Sequence, residues 1–475
     1  MQSGSQSLAD YEPVTPARGL GSAERDEVPA PPEPAPKARR RAAAREDEAA
    51  SAPLKRAHSL SFICLFLFTL VLYLRPAEIY PSFVTNNIAF FFGVLTLASY
   101  FPSQLSAEGT LTARPREVNA ILLLALAALI SIPLAASPGR AWESFSGVFI
   151  RCVLMFLVIV NAVRTERRLR LLMLLALAVS CWLSLGALDD FRAGRLSVEG
   201  YRVGGHGSGI FGNSNDLALH LVTMVPLAAG LLFASRGAVR RLFYAAAALL
   251  MTVGIVITYS RGGFLGLICA LSVLGWKLGR RHRLAVFGAG ASGGLALLVL
   301  APGNYALRLL SIFVPSLDPV GSSAARQGEL IHSLWATIYN PVFGVGMDNY
   351  VLMSDHEHVT HNAYTEVSAE LGLFALGCYL VFLFTPLGRL RRVEREALAR
   401  PELRRYHYLA VALQASLVGY IVSSFFASVA FLWYVYYLVG YGLSLERLFR
   451  SELAARAPSG VEDESKPPDG GGAEV

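Results

Sequence analysis

The sequence predicts an all-α, polytopic membrane protein, and three observations predict it. Of its 475 residues, 54% are hydrophobic and only 16% are charged, against roughly 25% charged in ordinary soluble domains. Mean hydropathy is +0.46. Apolar stretches of about 20 residues, the length that spans a bilayer, recur along the chain between short basic loops. A soluble enzyme, a collagen-like chain and a wholly disordered chain are excluded.

Residues 1–57 are rich in Pro, Ala, Glu and Arg, including Lys37-Ala38-Arg39-Arg40-Arg41. Such a composition buries too little apolar surface to offset chain entropy and predicts a disordered cytoplasmic tail. The first apolar run begins near His58 with no small-residue cleavage site after it, which predicts an uncleaved signal anchor. Residues 58–450 form the transmembrane domain. About twelve helices are expected, centred near residues 66, 92, 127, 154, 178, 224, 250, 271, 293, 375, 417 and 437. The last two share a nearly continuous apolar run, so eleven is the alternative. Residues 451–475 are again Gly-, Pro- and acid-rich and predict a second cytoplasmic tail.

The net charge of +7 is spread through the loops rather than gathered on one face, which argues against a nucleic-acid partner. With a cytoplasmic amino terminus, one set of loops collects Arg114, the Arg164–Arg170 cluster, Arg236–Arg241, Lys277–Arg283 and Arg389–Arg405. This is the positive-inside asymmetry. It places both termini in the cytoplasm and the two longest loops, about 188–214 and 302–362, on the outer side, the larger one before the tenth span. No nucleoside triphosphate is available there, so chemistry on those loops needs an already activated substrate. The five cysteines (Cys64, Cys152, Cys181, Cys269 and Cys378) lie apart in apolar runs without a CxxC spacing and predict core residues.

Few cations remain on the outer side. Arg261 sits in the tight turn Ser260-Arg261-Gly262-Gly263 between two spans, at the depth of lipid headgroups, where ionisable groups are functional candidates. Arg202 lies in a glycine-rich loop that runs into a helix at Asn215-Asp216; either residue could cap that helix, whose amino terminus favours anions. Arg326 lies in the long loop, ahead of Trp335 and Gly344-Val345-Gly346. His356, His358 and His361 fall within six positions, but nothing fixes metal geometry, and no metal or other cofactor is expected. At helical spacing Asn362, Glu366 and Glu370 share a face below His361. Buried carboxylates are costly unless paired, which predicts that they meet arginines from other spans. A neutral imidazole suits His361 to accept a proton from a hydroxyl.

Four blocks in this order, Gly209-Ile210-Phe211-Gly212-Asn213-Ser214-Asn215-Asp216, Ser260-Arg261-Gly262-Gly263, Arg326 through Trp335 to Gly346, and His361-Asn362 followed by Glu370-Leu371-Gly372, resemble the O-antigen ligase and Wzy polymerase superfamily of bacterial membrane glycosyltransferases over roughly residues 60–445. The resemblance implies a metal-independent, inverting transfer of a glycan from undecaprenyl diphosphate to an acceptor hydroxyl on the periplasmic side of the inner membrane. It implies that Arg261 and Arg326, with Arg202, grip the diphosphate and that His361 positions or deprotonates the acceptor. The substrate-facing set is then Arg202, Asn215, Asn362, Glu366 and Glu370. The acceptor is a lipid A core (a ligase) or another repeat unit (a polymerase), with membrane lipids and polysaccharide assembly proteins as partners. A protein O-oligosaccharyltransferase is the near alternative. A polytopic transporter is the distant one, although no internal repeat supports it.

Overall fold

In hydrocarbon every backbone N–H and C=O must be satisfied within its own segment, so each apolar stretch becomes a helix. A computed structural model of the chain describes residues 57–196, 202–205, 211–279, 284, 288, 292, 322–354 and 358–456, all within one compact unit, Ala50–Val475. Most of both expected tails, His356 and residues 302–321 of the long loop lie outside the described residues.

Among the described residues the principal helices are α1 (Ser59–Leu74), α2 (Phe83–Glu108), α3 (Arg116–Ser131), α4 (Ile150–Ala162), α5 (Glu166–Arg192), α6 (Ser214–Ala234), α7 (Ala238–Ile257), α8 (Arg261–Leu278), α9 (Ser322–Tyr339), α10 (Ala363–Leu398), α11 (Arg404–Ser423) and α12 (Trp433–Ala454), with no strand. Among the described residues ten stretches are long and apolar enough to cross a membrane. They match the expected spans near 66, 92, 127, 154, 178, 224, 250, 271, 375 and 417. The span expected near 293 falls almost wholly outside the described residues. The one near 437 is α12, which is tyrosine-rich and carries Glu446, Arg447, Arg450 and Glu452 in its second half, so it falls short as an apolar stretch. A 3-10 turn at Ser424–Phe426 and extended backbone at Ala427 separate α11 from α12, so the shared apolar run forms two helices.

The hub of the bundle is α11, which packs against α6, α8, α10 and α12. Small residues let these backbones approach. A Cβ on Gly266 would stand 2.0 Å from Ser423 Oγ, and one on Gly230 would stand 2.5 Å from Ala412 Cβ. One end of the bundle is laced by ion pairs: Glu108 with Arg164 and Arg447, Arg389 with Glu117 and Glu446, Lys277 with Glu394, and Arg450 with Glu396. These are the basic loops assigned above to the cytoplasmic side. The opposite end holds the candidate residues.

Candidate active site

Ser260 forms the amino-terminal cap of α8, its hydroxyl accepting from Gly263 N–H. Tyr259 just before it takes a left-handed φ of 52°, turning the chain sharply out of α7. Arg261 is therefore the first residue of α8 and is only 7% exposed. The glycines after it are steric requirements: a Cβ on Gly262 would reach Phe426 at 2.7 Å, and one on Gly263 would reach Ala218 at 2.6 Å. The first turn of α8 is thus wedged between α6 and the end of α11.

Arg202 is 2% exposed. Its Nε donates to Thr258 O at 2.9 Å and its Nη2 to Asn215 Oδ1 at 2.8 Å. Asn215 Oδ1 also accepts from Ser260 Oγ at 2.9 Å. Arg202, Asn215 and the Ser260-Arg261 turn are therefore one hydrogen-bonded unit. The cap of α6 is Asn213, whose side chain accepts from Asn215 N–H, and this corrects the expectation of a cap at Asn215 or Asp216. Asn215 is then free to bridge Arg202 to the turn.

A second group surrounds His361. On α9, Glu329, Ser333 and Thr337 are buried at i, i+4 and i+8, and Arg326 lies one turn before them. Glu329 accepts from Tyr350 Oη at 2.8 Å and Ser354 Oγ at 3.2 Å, while Thr337 and Ser368 join α9 to α10 at 2.9 Å. His361 has a left-handed φ of 51°, immediately before Asn362, which caps α10 by accepting from Tyr364 N–H and Thr365 N–H. Desolvation, then the charges of Arg326 and His358, lower the His361 pKa from 6.5 to about 4, with Glu329 opposing. The imidazole is neutral at pH 7. Since the unfolded chain binds this proton at higher pH than the folded one, the contribution to stability is present above pH 6.5 and falls as pH drops toward 4. If this ring is the base, the acid limb of kcat/KM should lie near pH 4; a limb at 6.5 would contradict the burial that lowers it.

The third group is a cavity of about 230 Å³ lined by Asp348, Thr360, Glu366, Glu370, Ser428 and Phe431 among others. The carboxylates do not meet arginines as expected from the sequence. Glu366 accepts from Ala430 N–H at 3.0 Å, Glu370 accepts from the backbone at Asp348 and Tyr350, and among the described residues neither forms an ion pair. Backbone amides do the work that guanidinium groups were expected to do. Asp348 does pair with a cation, Arg140, at 2.9 Å.

The helix α10 is itself broken. Gly372 has φ 85° and ψ 175° inside it. The freed carbonyls of Ala369 and Glu370 accept from Val345 N–H and Gly346 N–H, and Leu373 N–H donates to Pro341 O, all at 2.8–2.9 Å. The Gly344-Val345-Gly346 loop is in effect docked into the gap. The groups adjoin through residues 421–428: Gly262 packs on Phe426, Tyr364 Oη donates to Ile421 O at 2.8 Å, and Thr360 bonds Ser428 at 3.0 Å.

Sequence reasoning did not single out Glu329 or Asp348. The first was signalled by the i, i+3 spacing from Arg326 on a helix whose polar residues recur at helical period. The second carried no comparable signal, because its place depends on the docked loop. Among the described residues no three His, Cys, Asp or Glu side chains are grouped as metal ligands.

Residues 246–380 match the family model described as O-Antigen ligase. The match runs from α7 into α10 and takes in Arg261, Arg326 and His361, while Arg202 and Asn215 precede it. The chain has no match among curated proteins. The helical bundle identifies a multi-pass, all-α membrane protein, in which residues 246–380 are similar to the O-antigen ligase family.

Proposed function

We propose that the protein transfers a glycan from undecaprenyl diphosphate to an acceptor hydroxyl at the periplasmic face of the inner membrane, as an O-antigen ligase or a repeat-unit polymerase. The observation that carries this reading is a buried, neutral His361 within electrostatic reach of Arg326 and Glu329, one residue after Thr360, which lines a cavity carrying Asp348, Glu366 and Glu370. His361 accepts the proton as the acceptor oxygen attacks the anomeric carbon. The bond from that carbon to the diphosphate oxygen breaks on the opposite face, so the configuration inverts. Charge then grows on the departing diphosphate, where Arg261 and Arg326 stabilise it. Charge-assisted bonds of this kind contribute about 1.5–3 kcal/mol each, more where water is excluded.

In this reading Arg202 and Asn215 are positioning residues, since their described bonds hold the Arg261 turn. Asn362 sets the start of α10 below His361. Asp348, Glu366 and Glu370 offer acceptors to sugar hydroxyls in the cavity, and Glu366 and Glu370 are the substrate-facing pair expected from the sequence. Purified protein supplied with a polyprenyl-diphosphate-linked glycan and an acceptor should form product in EDTA and without nucleotide. A strict requirement for metal or ATP would refute the scheme. A deletion strain accumulating lipid-linked polymer beside free core would assign the ligase, and one limited to single repeat units the polymerase.

A further inference from the structure

The end of the bundle opposite His361 contains a larger cavity, about 730 Å³, between α5, α6, α7 and α11. Six arginines border it, Arg170, Arg236, Arg240, Arg241, Arg404 and Arg405, against one carboxylate, Glu402. The 21 residues of α6 separate it from Asn215, roughly 30 Å along the helix, so it is no part of the site already described.

Two observations distinguish this cavity from an ordinary basic rim. Several arginines and lysines elsewhere at this end are paired with carboxylates from neighbouring helices, as with Glu108, Glu117, Glu394 and Glu396, and among the described residues those that are not do not border a cavity of this size together. Here, among the described residues, Arg236, Arg240, Arg241 and Arg404 have no carboxylate partner; Arg241 donates to Ser235 O and Arg404 stacks on Tyr408. Arg405 does pair with Glu166 and Glu452, yet its Nε is buried without a hydrogen-bond partner. The rest of the lining includes the apolar side chains of Leu174, Leu231, Phe233 and Leu409. Concentrated guanidinium charge together with apolar side chains fits an amphiphile with a phosphate head.

We propose that this cavity binds the phosphate headgroup of an anionic phospholipid, with its acyl chains against the apolar side chains. Basic pockets between helices at a membrane surface recognise such headgroups, each cation contributing about fivefold in affinity. The site itself is independent of the proposed reaction; only its assignment to the cytoplasmic leaflet rests on the orientation given there.

Native mass spectrometry of the full-length protein, titrated with phosphatidylglycerol or phosphatidylcholine of matched chains, tests this. Wild type should retain phosphatidylglycerol preferentially, and the Arg236→Ala, Arg240→Ala, Arg404→Ala triple variant should lose affinity on the order of a hundredfold. Glu402→Gln should bind more tightly than wild type, which a general folding defect cannot produce. Equal retention of both lipids, or a preference untouched by the triple variant, would overturn the proposal. Inorganic pyrophosphate is the third arm: if it displaces no lipid, the bilayer is the source, and if it binds the wild type as well as phosphatidylglycerol does, the lipid assignment fails.

Discussion

Replacing His361 by alanine is expected to lower glycan transfer by about 10²–10⁴-fold, the usual contribution of a positioned acid or base, while leaving folded protein in the membrane. The backbone at this residue is left-handed, a conformation that costs alanine more than asparagine. His361→Asn is therefore the cleaner variant, since it keeps the turn into the Asn362 cap and removes only the imidazole. Transfer assayed with purified protein should be lost in both. The leaving-group side has its own signature. Arg261→Lys keeps a positive charge but not the planar fork that matches a phosphate, and should lower kcat more than it raises KM, because the diphosphate gains charge as the bond breaks. Full activity in His361→Asn would eliminate the proposed base, whatever happens at Arg261.

The second large effect is on stability. Gly372→Ala and Gly344→Ala should each destabilise the protein by more than about 3 kcal/mol, adding a steric clash to a backbone conformation that itself costs a side chain about 1–3 kcal/mol. Gly372 sits at φ 85°, and a Cβ there would lie 2.3 Å from Val342 O; at Gly344, φ 66°, it would lie 2.1 Å from the carbonyl carbon of Glu370. Both contacts are with backbone, which cannot swing aside as a side chain can. Gly377→Ala, in the same helix with nothing within 4 Å of its Cβ, is the matched control and should be neutral or slightly stabilising. Thermal unfolding of the three variants in detergent, followed by tryptophan fluorescence, orders them. Indistinguishable transitions would show that the loop is not docked in the helix break.

The helices were legible because spanning hydrocarbon leaves a long-range signature in composition, and the separation of paired charges from the histidine was legible because basic loops alternate with apolar spans. What stayed hidden was the tertiary use of backbone groups. Gly372 in the sequence looks like any small residue of a packed helix; only the docked Pro341–Gly346 segment makes it a break. For the same reason Glu366 and Glu370 were expected to find arginines, when the amides exposed by irregular chain nearby satisfy them. Arg202 reads as a candidate anion-binding cation in a glycine-rich loop, but its burial follows from its bonds to Asn215 at the end of that loop and to Thr258, which is distant in sequence. Glu329 was overlooked because α9 turns its polar face toward the site and leaves Ile331, Leu334, Trp335 and Ile338 exposed, the reverse of a helix on a soluble domain.

The stitch between the broken helix and its loop is made almost entirely of main-chain hydrogen bonds, so the place of the loop that carries Asp348 is set by peptide groups that every amino acid possesses. Side chains lining the adjoining hollow, such as Val351, Val359 and Leu432, can consequently be exchanged without displacing that loop. Under the proposed function, a lineage could retune which sugar it accepts by drift at those few wall positions while the main-chain frame stays fixed.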